Sequence, residues 1–111
     1  MQRIKLNLLI FLVLGLASAC SDDSKTVGVP DPDRGRRVYV ATCIMCHNID
    51  PSKRGSQGPA IQGASVQLLE AKVLHKRYPL GHTPQRTTKA MPTYPQLRKR
   101  IPDIAAFLAQ P

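Results

Sequence analysis

Hydrophobic residues form one dense block at the start of the chain and then return only in short sets at helical spacing. From Leu6 to Ala19 the sequence is apolar, broken by Asn7, with Arg3 and Lys5 ahead of it and the small residues Ala17, Ser18 and Ala19 at its end. That order reads as a secretory signal over residues 1–19, and the run is shorter than the about 20 residues a membrane-spanning helix needs. The following segment, residues 20–32, is polar, carries Pro30 and Pro32 and has no periodicity, so it reads as a tether. The folded domain is expected over 33–111.

Within that domain the spacing predicts an all-α fold with three helices. The first runs from an N-cap at Asp33 to Thr42, with Val38 and Tyr39 among its apolar positions and Gly35 out of character inside it. A second starts after Ser65 and carries Val66, Leu69, Val73 and Leu74, until Tyr78-Pro79 turns the chain out of the helical region. The third, IPDIAAFLAQ, has Pro102 and Asp103 in its first turn and a stripe of Ile101, Ile104, Ala105 and Leu108, with Phe107 beside it. No run alternates cleanly enough for a strand. Between the second and third helices lies a long loop punctuated by Pro79, Pro84, Pro92 and Pro95, and so long a loop in a small domain suggests function.

Composition adds a problem of core size. The 111 residues include no Trp, ten prolines and 5% aromatics, too little bulk for a large apolar core. The formal charge of +9, lowered by two if Arg3 and Lys5 leave with the signal, favours acidic partners. Nucleic acid is not among them, because the basic residues are scattered and no nucleic-acid motif accompanies them. The segment LASAC resembles the lipobox of bacterial lipoproteins, although Ala17 stands where Leu is usual. The resemblance implies a lipid on Cys20 and attachment to a membrane on the periplasmic side of the cell envelope.

The candidate chemistry sits in CIMCH. Two cysteines separated by two residues span the distance between the vinyl groups on one porphyrin edge, so Cys43 and Cys46 suit two thioethers to haem, and His47 next to them suits an axial iron ligand. A redox disulfide would need a βαβ context that the pattern lacks. A zinc site would need a second ligand pair, for which the chain offers only His75, His82 and irregularly spaced carboxylates. For the iron's other face the candidates are Met91, in KAMPTYPQL, and then His82 in the same loop; Met45 lies between the attachment cysteines and cannot reach across, and His75 reads as a surface residue.

Taken together, these residues resemble the class I c-type cytochromes. RGRRVYVATCIMCH is similar to that family's first helix and haem motif, with Gly35 and Tyr39 at the positions that pack against the last helix and the haem pocket, here against Ile104 and Phe107. GPAIQG resembles the element whose proline carbonyl, Pro59, accepts a hydrogen bond from His47, and KAMP resembles the methionine-ligand loop at Met91. The resemblance covers Asp33 to Pro111. It implies three to four helices around one covalent haem c, N- and C-terminal helices crossing, and His47 and Met91 as axial ligands. The lack of Trp leaves a propionate hydrogen bond to Tyr78, Tyr94, Arg86 or another residue.

The function implied is one-electron transfer to redox proteins with acidic docking faces, steered by cations such as Lys53, Arg54, Arg86 and Lys89. Two alternatives stay open: a haem subunit held in a larger dehydrogenase or oxidase, and a haem sensor or peroxidase with Met91 unbound.

Overall fold

The computed structural model describes residues 28–87 and 89–111. The expected secretory segment 1–19, the expected lipid site Cys20 and residues 21–27 of the tether lie outside them. Helix α1 spans Pro32–Thr42 and is capped by Asp31, whose carboxylate accepts from the backbone N–H groups of Asp33 (2.9 Å) and Arg34 (3.1 Å). The cap thus falls two residues before the expected Asp33. Pro32 tolerates the first turn because its missing N–H would have had no helical partner, and Asp33 serves inside that turn, facing the positive end of the helix dipole.

Helix α2, Val66–Leu69, is capped as expected by Ser65, whose Oγ accepts from the Leu68 N–H at 3.2 Å. It runs on as a wider π-helical turn, Glu70–Leu74, a local pattern that a periodicity of 3.6 does not anticipate. The Val73 carbonyl accepts from the Tyr94 N–H at 2.7 Å, which fastens the returning loop to the wide turn. The chain leaves the helix at His75 and Lys76, the latter at φ 54°, ahead of Tyr78-Pro79. A 3-10 helix, Pro95–Arg100, then leads directly into α3, Ile101–Leu108. Pro95 therefore opens a helical turn rather than closing the loop. No strand occurs among the described residues, and none of their helices is long and apolar enough to cross a membrane.

Helices α1 and α3 cross at Gly35. A Cβ there would overlap the backbone carbonyl of Asp103, so only glycine lets the two backbones come this close. Tyr39 is fully buried one turn later, its ring 5.3 Å from that of Phe107 and tilted by 49°. Leu69, Val73 and Leu74 from the second helix join Ile101, Ile104 and Leu108 to complete the core. At the edge of the crossing, Arg34 grips Asp103 through Nε (2.6 Å) and Nη2 (2.7 Å), while the Asp31 N–H donates to the same carboxylate at 3.0 Å. Asp103 was expected only to face a helix dipole; it is buried and ties both helices together.

Candidate functional site

The CIMCH segment forms a tight turn where α1 ends. The N–H of Cys43 donates to the Tyr39 carbonyl (2.8 Å), and those of Cys46 and His47 both donate to the Cys43 carbonyl, at 3.2 and 2.9 Å. This turn gathers Cys43, Cys46 and His47 onto the wall of a single cavity. Met45 between them is 81% exposed and points away from any such role, as expected.

His47 is held from behind. Its Nδ1 lies 2.9 Å from the Pro59 carbonyl oxygen, and because a carbonyl can only accept, Nδ1 is the donor, so in the neutral ring the lone pair is on Nε2. The N–H groups of Gln57 and Gly58 donate to the Cys46 carbonyl at 3.1 and 2.8 Å, which docks the Pro59 segment against the turn. A Cβ on Gly58 would overlap the imidazole ring itself. Sequence reasoning noticed Pro59 and missed Gly58; the Gly-Pro pair was the available sign.

The wall of the cavity also includes Leu68, Leu69 and Val73 and the loop residues Met91, Pro92 and Tyr94. About 1040 Å³ of space unoccupied by protein atoms lies within the cavity, part of it open to solvent. Met91 is half-buried in this wall, while His75 is exposed and outside it. His82 also lines the cavity, but its ring stacks on Tyr78 at 5.1 Å, and Lys72 Nζ lies 4.1 Å over the other partner of that stack, the Tyr78 ring. Tyr39, expected to touch the cofactor as well as the last helix, is absent from the cavity wall; its hydroxyl donates to the Asn48 carbonyl at 2.5 Å. Burial, reinforced by Cys43 and Asp50, pushes that hydroxyl up to about 12.

The charges divide differently from the expectation. Lys53 pairs with Asp50 at 3.1 Å on an exposed turn, and Arg54 and Lys89 are exposed, but Arg86 is set into the cavity wall. Its Nε is removed from water. Arg86 is therefore no plain surface cation.

The donor set discriminates between the chemistries left open by the sequence. Cys43 and Cys46 are free, and burial pushes the Cys43 thiol up to about 11, opposite to the lowered value that a nucleophilic redox thiol needs. Among the described residues no group of three or more His, Cys, Asp or Glu side chains is placed to hold a metal ion, so zinc finds no ligand set. A largely apolar group fits: two thiols, an imidazole oriented by the Pro59 carbonyl and a thioether share the wall of one cavity. Haem c meets those demands.

Comparison with known proteins agrees. The chain is 30% identical over 78 residues to a protein of Synechocystis sp. named cytochrome c-553-like, a match spanning 70% of this chain and 67% of that one. No family model and no solved structure matches the chain.

Proposed function

The chain belongs to the c-type cytochrome family, and on that premise we propose that it is a one-electron carrier with a single haem c. Cys43 and Cys46 would hold the ring by thioethers, and His47 Nε2 and Met91 Sδ would be the axial ligands. The observation that carries this reading is the 2.9 Å contact of His47 Nδ1 with the Pro59 carbonyl, which leaves Nε2 facing a cavity with Met91 in its wall. When bound, haem supplies reversible one-electron exchange at its iron.

The chain's own residues account for the rest. The Pro59 carbonyl fixes the His47 tautomer and makes Nε2 a better donor. Gly58 keeps the face of the imidazole clear. Leu68, Leu69 and Val73 exclude water from the walls, which disfavours the additional positive charge of the oxidised state. A soft methionine sulfur acts in the same direction, so the potential is set high. With His47 and Met91 both given to the iron, the chain would offer no open site to a substrate and would act as a carrier rather than an enzyme. Exposed cations, Lys53, Arg54 and Lys89 among them, steer it onto acidic faces of its redox partners. A lipid on Cys20 holds it to the membrane after export.

The test is an absorption spectrum and an intact mass of the protein purified from a host that matures c-type cytochromes. Covalent haem, a low-spin spectrum with the long-wavelength ferric band of thioether ligation, and an acylated N-terminal Cys20 are expected. A colourless protein would overturn the carrier, and an unmodified N-terminus would overturn the anchor alone.

A further inference from the structure

Arg86 lies in the loop that runs from the end of α2 toward Met91, and its side chain is strapped to the segment that carries Gly58 and Pro59. Its Nη1 donates to the Gln57 carbonyl at 2.5 Å, and the side chain of its neighbour Gln85 donates to the Ala60 carbonyl at 3.2 Å. The two bonds grip the backbone on either side of Gly58 and Pro59, the segment that orients His47. The guanidinium is thereby tied to the segment that orients His47.

A fixed guanidinium in such a wall needs an anion, and the protein does not provide one. Arg86 Nε is buried with no hydrogen-bond partner, although a buried charged donor without an acceptor is strongly unfavourable. None of the residues lining the cavity is Asp or Glu. The ion pairs of the described residues involve Arg34, Lys53 and Arg100 instead. The acceptor must therefore arrive with whatever fills the cavity, and it must be an oxygen anion able to meet a rigid N–H fork. Haem carries propionate carboxylates. The chain has no Trp to bind one, and the Tyr78 ring is held between Lys72 and His82.

We propose that Arg86 neutralises a propionate carboxylate of the haem, and that its strap to Gln57 keeps this pairing rigid enough to make the reduction potential independent of pH. The inference rests on the haem reading above. Its physical content is electrostatic. A carboxylate beside a fixed cation stays ionised and adds little net negative charge near the iron. Without the cation, that negative charge favours the oxidised state, so the potential falls. In the dry wall the carboxyl's own affinity for a proton also rises, and protonation on acidification cancels the charge and lifts the potential again.

The experiment compares wild type, R86Q and R86K as purified holoproteins, with covalent haem stained on a denaturing gel and midpoint potentials measured from about pH 5 to about pH 9, the range into which a desolvated carboxyl moves. Besides Cys43, Cys46 and His47, which the haem would engage, the other ionisable side chains lining the cavity are Lys72, Tyr78 and His82, from the second helix and the turn after it, and Tyr94 beyond Met91. H82N is made in both the wild-type and R86Q backgrounds, so that any slope due to the histidine is removed. Wild type should have a flat profile. R86Q should keep covalent haem and the wild-type axial spectrum, with a lower potential at alkaline pH that climbs as pH falls; R86K should restore most of the potential. An R86Q profile equal to wild type would overturn the role of Arg86 and leave the haem reading intact. Absence of covalent haem in wild type would overturn the haem reading instead. If R86Q does not accumulate, wild type still decides, since a potential that slopes through this range, and still slopes in H82N, contradicts the proposal.

Discussion

His47 shows how little chain a tuned ligand needs. A carbonyl from Pro59 fixes its proton on Nδ1, and the hydrogen at Gly58 gives the ring its room. For the second axial position the decision falls between Met91 and His82. His82 is engaged in a stack with Tyr78, and moving it would break that contact and leave Lys72 without an ordered ring partner. Met91 packs against the core at the cavity wall, with its thioether free of any aromatic stack among those of the described residues. Met91→Ala should therefore abolish the thioether–iron band and lower the potential by on the order of a tenth of a volt, a small part of the ~0.8 V range that axial ligands span. His82→Ala should leave the spectrum unchanged. The opposite pattern in the two spectra would make His82 the ligand.

At the scale of elements, the crossing of α1 and α3 is the joint on which the site hangs, because α1 ends directly in the cysteine turn. Gly35→Ala would drive a methyl group into the Asp103 backbone, and the helices would have to separate. A loss of about 1–3 kcal/mol is expected in denaturant unfolding, with the larger value if Tyr39 and Phe107 also lose contact. The ion pair beside the crossing gives a separate test. The two hydrogen bonds from Arg34 hold the Asp103 carboxyl below its usual range against the opposing effect of burial. A group whose value is lowered by folding stabilises the protein above its unfolded value, 3.8 for this carboxyl, and that contribution is lost as pH falls through the lower folded value. Asp103→Asn should cost about 3 kcal/mol near neutral pH, since it leaves Arg34 without its buried partner, and the cost should shrink in acid below about pH 4. Unfolding curves at several pH values check both parts.

The whole molecule combines a cavity mouth with an excess of positive charge. The chain carries 16 basic against 7 acidic residues, and several acids are already committed, Asp103 to Arg34 and Asp50 to Lys53. What remains outward is a positive field. The second-order rate of electron exchange with an acidic redox protein should fall about tenfold or more as ionic strength rises from about 0.01 to about 0.2 M, because the Debye length contracts from about 30 Å to under 10 Å. A rate indifferent to salt, or a carrier that stays bound to a larger complex at high salt, would mean that cations do not steer it.

Much of this was legible in the order of residues alone. CIMCH dictates its own geometry, because the cysteine spacing and the adjoining histidine are properties of a single turn, and Ser65, Tyr39 and the stripe of the last helix obey periods that any helix imposes. Gly35 was only out of character in its helix, and the resemblance to the cytochromes supplied its close approach to the last helix. Other features depended on segments distant in sequence meeting in space. The second helix widens into a π-helical turn at Glu70–Leu74, and there the Val73 carbonyl accepts from the Tyr94 N–H, a contact no local spacing encodes. Asp103 became a buried tie only because α1 brought Arg34 beside it. Arg86 is one more cation in the sequence, and only the closure of its loop over Gln57 turned it inward, where an Nε–H without an acceptor becomes a demand on the ligand.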